Sequence, residues 1–214
     1  MRAFVRSRRT GSLLAVSALT LGAVLLAAPA SSADASTAGS KTTTSQDCLD
    51  TVNRAIAAGR TGVSSDLCST TSTLTVSEER TVTVGDVAGA KDSLSTQEYR
   101  SLMRAAESGE VRSKDYAQSV NNVVNGVTQY GTFYYDGGRA WVAESYRGYQ
   151  GSHTCQTQWA VGYVVELKKC VDYGSPDERT VQGVWHFSVI PSGGLVNWDE
   201  THELHVNATG SIWQ

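Results

Sequence analysis

Apolar and polar residues alternate most strictly over residues 157–168, where Trp159, Val161, Tyr163, Val165 and Leu167 are large and apolar. Gln158, Ala160, Gly162, Glu166 and Lys168 between them are polar or small, and Val164 alone breaks the rule. A period of two predicts a half-buried β-strand. Similar runs recur at 116–120, 127–135, 139–146, 156–169, 180–190 and 201–206. Strands this dense, joined by short turns without helices, predict an antiparallel β-sandwich or barrel over residues 111–214. In the run at 180–190 the core positions are Trp185, Phe187 and Val189, with His186, Gln182 and Ser188 on the far face.

Ahead of residue 111 the period lengthens. Asp47, with Asp50 three residues on, opens a short helix whose stripe is Leu49, Val52 and Ile56, ending at Gly59. Ser95 and Glu98 form a capping box before Tyr99, Leu102, Met103 and Ala106 at helical spacing, with Gly109 as the stop, which predicts a helix over 96–108. Tyr99 and Met103 read as part of its core-facing stripe. Thr81-Val82-Thr83-Val84 favours a strand within 74–84. The predicted class is therefore α+β, with two short helices in a helical part at 47–110 preceding the β-region at 111–214. Residues 31–46 hold no aromatic residue and read as a flexible Ser/Thr-rich lead-in.

The clearest turn is Asp136-Gly137-Gly138. A two-residue turn places Phe133, Tyr135, Ala140 and Val142 on one face and Thr132, Tyr134, Arg139 and Trp141 on the other. The second face would carry two exposed aromatics and a cation. A three-residue loop would instead set Trp141 with Phe133.

Composition changes the picture in one respect, which is export. Arg2, Arg6, Arg8 and Arg9 precede an apolar run over 13–28 and a small-residue site at Ala28-Pro29-Ala30, the layout of a secretory signal peptide at 1–30. The run is too short for a membrane anchor, and the C-terminal end carries no apolar tail. Without those 30 residues, 14 basic residues face 21 acidic ones, a net charge of −7. No basic stripe marks a nucleic-acid binder. The length left suits one globular unit.

Four cysteines in an exported chain read as two disulfides, and of the three pairings the local one, Cys48 with Cys68 and Cys155 with Cys170, is preferred. It conflicts with one straight strand over 157–168, which would hold Cys155 and Cys170 about 50 Å apart at ~3.3 Å per residue. A hairpin turn at Gly162-Tyr163 would bring them opposite, at the expense of the alternation, since Trp159 would then pair with Glu166. Both readings stand at this level.

Catalytic patterns are sparse. His202-Glu203-Leu204-His205 is not a zinc motif, because on a strand its histidines point to opposite faces. His153 lies two residues from Cys155, which is expected to be paired rather than a nucleophile. Asp199, Glu200 and Glu203 beside Trp198 are the one carboxylate group that could serve a glycosidase, provided two of them face across a cleft. Asn207-Ala208-Thr209 is a glycosylation sequon. No cofactor or metal is implied. All five Trp and seven of nine Tyr lie beyond residue 129, and the loop at 146–153 joins Tyr146 and Tyr149 to Arg147, Gln150 and Ser152.

Through Tyr134-Tyr135-Asp136-Gly137 and Tyr146-Arg147-Gly148-Tyr149 the β-region resembles small secreted β-rich proteins of unassigned function in actinobacteria. That resemblance implies no catalytic residues. The leading expectation is a secreted, extracellular, non-catalytic module that binds polysaccharide or a cell-envelope surface through exposed aromatics. Tyr134 and Trp141 come first, then Arg139, Tyr146 and Tyr149. The alternatives are a protein-binding factor or inhibitor using the 146–153 loop, and a small glycoside hydrolase using Asp199, Glu200 and Glu203.

Overall fold

The computed structural model describes residues 36–190 and 195–214, so the signal peptide expected at 1–30 and its expected cleavage site lie outside the described residues. The chain runs β1 (Ser36–Thr44), α1 (Gln46–Ala57), β2 (Ser69–Val76), β3 (Arg80–Thr81), α2 (Val84–Gly89) and α3 (Thr96–Ser108). It continues with β4 (Arg112–Asn121), β5 (Asn125–Tyr135), β6 (Ala140–Trp141), β7 (Ser145–Tyr146), β8 (Tyr149–Gln150) and β9 (Ser152–Ala160). The last elements are β10 (Tyr163–Gly174), β11 (Glu178–Val189), β12 (Val196–Asn207) and β13 (Ile212–Trp213). This is a β-rich α+β fold with antiparallel pairing throughout.

The first sheet has the order β1-β2-β4-β5, with β9 and β6 end to end on the far edge of β5 and β3 beside β4. The second has the order β10-β11-β12-β13, and β7-β8 form a small hairpin. No barrel closes among the described residues. Inner side chains of the two sheets share two apolar clusters. One joins Val120 and Val127 to Trp185, Phe187, Val189 and Trp198, with Cys48, Val52 and Ala55 of α1 plugging its end. The other joins Leu74, Tyr116, Phe133 and Tyr135 to Val181, Leu204 and Val206. The core positions expected at Trp185, Phe187 and Val189 are all buried.

Both disulfides form as expected, with Cα atoms 5.4 Å apart for Cys48–Cys68 and 5.8 Å for Cys155–Cys170. The straight strand over 157–168 does not form. The chain turns at Val161-Gly162, where Gly162 adopts a φ of +74°. Strand β9 stays in the first sheet while β10 enters the second, so Trp159 pairs with Gly126 rather than Glu166. The hairpin expected within one sheet is thus a crossover between two, stapled by Cys155–Cys170.

Other boundaries shift for local reasons. The segment taken as a flexible lead-in is β1 from Ser36 onward, zipped to β2 from Ser36↔Val76 to Thr44↔Ser69. Its ladder is a main-chain interaction and needs no buried apolar side chain. In α1 the N-cap is Ser45, which accepts a bond from the Cys48 amide, and the buried stripe is Cys48, Val52 and Ala55. Anchoring of Cys48 to Cys68 rotates the helix and leaves Ile56 exposed. The strand expected through Thr83 stops at Thr81, because Thr83 forms a capping box with Asp86 and starts α2. Helix α3 matches its expected span, with the Ser95–Glu98 box and Gly109 in the left-handed region as C-cap.

Candidate functional site

The outer face of the first sheet divides into a covered and an uncovered half. Helices α2 and α3 lie over the lower half. The turn 136–139 has Gly137 and Gly138 at its centre, which keeps the expected parity: Tyr135 pairs with Ala140 and Tyr134 with Trp141. Phe133, Tyr135, Ala140 and Val142 accordingly point into the inter-sheet core. Tyr134 and Trp141 point outward, but into a third cluster with Val82, Val87, Leu102, Ala105 and Val111.

The five residues expected to bind ligand do assemble. Tyr134 stacks on Trp141 at 5.6 Å, Tyr149 tilts against Tyr134 at 5.3 Å, and Tyr146 meets Trp141 edge-on at 4.4 Å. Arg139 and Arg147 lie over the Tyr146 ring at 4.8 and 5.3 Å. The expectation that Trp141 is exposed is overturned, since its accessibility is 0 %. Period two told which residues share a face, whereas α3 decides that this face is interior. Burial pushes the Tyr134 and Tyr149 phenols above their ordinary range. The 146–153 loop is tied down, with Arg147 paired to Glu110 and Gly148 seated against Leu94.

The upper half of the same face is open. Thr71, Thr73 and Thr75 of β2, Ala117, Ser119 and Asn121 of β4, Tyr130 and Thr132 of β5, and Ser152, Thr154 and Gln156 of β9 all share its outward parity, as does Thr128, which is buried and donates to the Gln118 carbonyl. Cross-strand contacts mark the shared face: Thr42 Oγ1 lies 3.3 Å from Thr71 Oγ1, Ser119 Oγ lies 3.5 Å from Thr128 Oγ1, and Thr132 donates to Asp115 at 2.7 Å. Asp115 is the one charge in these rows, and Arg80 pairs with it at 2.9 Å. Two aromatic rings stand on this hydroxyl- and amide-bearing surface. Tyr130 is 39 % exposed and Trp159 is 40 % exposed. Trp159 lies over Gly126, where a Cβ would fall 2.4 Å from its indole nitrogen, so glycine there is what lets the ring lie on the sheet. Gly126 and Tyr130 are four residues apart on β5, about 13 Å at ~3.3 Å per residue.

Sequence reasoning misses this surface because Tyr130 is one aromatic in a long run and neither the straight-strand nor the hairpin reading of 157–168 leaves Trp159 on an open sheet face. The retrievable signal was the Thr/Ser density of 69–75, where every residue but Leu74 carries a hydroxyl.

The acidic group does not form a cleft. Alternation along β12 sends Glu200 inward, where Trp198 Nε1 donates to it at 2.9 Å and His202 Nε2 lies 3.5 Å away. Asp199 faces outward to His186, and Glu203 accepts from Tyr173 at 2.7 Å and Gln182 at 2.6 Å. Those bonds, from Tyr173 first, hold the Glu203 carboxyl below its usual range. Glu200 lies on the opposite face of the sheet from Asp199 and Glu203, and those two are four residues apart on one strand, about 13 Å at ~3.3 Å per residue, so the three do not gather into a carboxyl pair flanking one bond. His202 packs inward at 5.6 Å from Trp185, and His205 stacks outward on Trp213 at 5.4 Å. Beside β12 the two sheets leave an open groove of about 400 Å³ lined by Lys41, Ser72, Gln118, His202, His205 and Gln214. Its floor is a polar network in which Gln118 donates to Ser72 at 3.0 Å and to Gln214 at 3.1 Å.

Tyr116 lies between the sheets with its hydroxyl 2.7 Å from His153 Nδ1, and His153 Nε2 is 3.3 Å from Cys155 Sγ. Desolvation pushes the His153 imidazole below its ordinary value. Among the described residues no helix is long and apolar enough to cross a membrane. No protein-family model, curated protein or solved structure matches the chain.

Proposed function

We propose that the protein is an extracellular, non-catalytic module that docks through the uncovered outer face of its first sheet onto a polysaccharide surface. In this reading the two facing sheets are an open-sided sandwich whose first sheet presents a platform. The carrying observation is the pairing of two half-exposed rings, Trp159 and Tyr130, with rows of Thr, Ser, Asn and Gln almost free of charge. An aromatic ring offers an apolar face to the C–H side of a sugar, while hydroxyls and amides around it exchange hydrogen bonds with sugar hydroxyls. A sheet supplies these groups in fixed rows about 4.8 Å apart, which suits an ordered ligand and limits the entropy lost on docking. The 146–153 loop is less suited to a partner, because Tyr146 packs on Trp141 and Tyr149 on Tyr134.

The test is a pull-down of the oxidised protein on insoluble cellulose, chitin and peptidoglycan, with Trp159→Ala and Tyr130→Ala alongside. Each variant should lose about 1–2 kcal/mol of binding, roughly 5- to 30-fold, with its fold intact. Retention should hardly change with salt, since so few charges face the ligand. Equal retention of both variants and wild type, or retention on no matrix, would refute the reading.

A further inference from the structure

On the opposite side of β5 and β9, facing the second sheet, His153 Nε2, Cys155 Sγ and Cys170 Sγ all lie within 4.8 Å of one another. We propose that reduction of the Cys155–Cys170 disulfide turns this corner into a three-ligand site for a borderline-soft divalent ion, Zn²⁺ foremost.

Three features carry the inference. First, the ligand set is that of a Cys₂His zinc site with its fourth position left to water. Tetrahedral bonds of about 2.3 Å to sulfur and 2.0–2.1 Å to nitrogen separate ligand atoms by roughly 3.5–3.8 Å. His153 Nε2 already stands 3.3 Å from Cys155 Sγ, and the third ligand atom lies within 4.8 Å, so sub-ångström to ångström shifts, with the two sulfurs parting, reach that geometry. Second, the strands that bear the thiols do not depend on the disulfide for their places. Strand β9 is laddered to β5 from Asn125↔Ala160 to Thr132↔Ser152, and β10 to β11 from Tyr163↔Val189 to Gly174↔Arg179. Opening the bond leaves two thiols facing each other. Third, the Tyr116 hydroxyl, 2.7 Å from Nδ1, fixes the ring through its other nitrogen, which is how metal-bound histidines are generally oriented.

The chemistry balances with a dithiol as reductant. Its two thiols pass two electrons and two protons to the Cys155–Cys170 bond and close into their own disulfide. The ion then displaces the two thiol protons, and its double positive charge offsets two thiolates that this half-buried corner would not stabilise alone. Cys48 and Cys68 are both fully buried, whereas Cys170 is only half-buried, so the dithiol reaches the second bridge first.

The experiment is anaerobic reduction of the whole protein with a mild dithiol, removal of the reductant, mass-spectrometric mapping of the freed thiols, and titration with Co²⁺. The expected result is one Co²⁺ per chain with thiolate-to-cobalt charge-transfer absorption, displaced by Zn²⁺, and a Tm raised by the ion. His153→Ala should weaken binding at least about tenfold, and Tyr116→Phe about tenfold with the absorption retained. Cys155→Ser should abolish the band. The inference fails if the reduced protein gives no band or if His153→Ala binds as wild type does. It fails equally if reduction alone erases the near-ultraviolet circular dichroism, because the site must be preformed by the two ladders.

Discussion

Strand β5 carries Tyr130 and Tyr134 on one face, four residues apart, and they have opposite fates. Tyr130 pairs across the sheet with Thr154 and is left 39 % exposed. Tyr134 pairs with Trp141 and is partly buried against the cluster that α3 and the 146–153 loop form over it. The backbone alternation is identical in both halves. What differs is whether another element has an apolar stripe to lay on the sheet, and α3 supplies Leu102, Ala105 and Ala106 only to the lower half. An aromatic residue on the outward side of a strand is therefore a core residue or a binding residue according to its cover.

The largest expected effect follows from the covered half. Trp141→Ala should cost about 3–5 kcal/mol of stability in urea unfolding, because it empties the centre of the α3 cluster. A mild loss accompanied by lost polysaccharide binding would break the comparison. Replacing both Cys155 and Cys170 by Ser should cost about 3 kcal/mol, the entropy of a loop near 15 residues, with β9 and β10 kept in place by their ladders. Next comes the uncovered half, where Trp159→Ala and Tyr130→Ala should lower binding roughly 5- to 30-fold but change stability by less than about 1 kcal/mol. Gly126→Ala sharpens this, since its methyl would push the Trp159 ring off the sheet. Indole fluorescence should shift, and binding should fall without any ring being removed.

The smallest effect concerns acid. Tyr135 donates to Glu79 at 2.7 Å, and this bond, ahead of Arg112, holds the Glu79 carboxyl below its ordinary value of 4.5. A depressed carboxylate contributes stability above its unfolded pKa and loses it as pH falls through the folded one. The stability gap between wild type and Tyr135→Phe should accordingly narrow below pH about 4.5. A gap independent of pH would assign the hydroxyl no electrostatic role.

Much of the fold was legible where a local rule was sufficient. The capping box and terminal glycine delimit α3 at Thr96–Ser108, and period two with a two-glycine turn orders the faces of β5 and β6. The pairing of Cys48 with Cys68 and of Cys155 with Cys170 followed from spacing. The acidic group at Asp199, Glu200 and Glu203 was visible as composition, yet only the pleat of β12 shows that Glu200 turns inward while Asp199 and Glu203 face outward.

The sequence by itself determined α3, the faces of β5, β6 and β11 and a preference for the local cross-links, because capping, alternation and loop length act within a few residues of each other. The tertiary structure alone decided that β9 and β10 belong to different sheets, that Ser36–Thr44 adds a strand, and that Trp141 is interior while Trp159 is not. Those outcomes depend on which distant surface finds a partner, and the free energy of that choice resides in contacts between residues that no local pattern brings together.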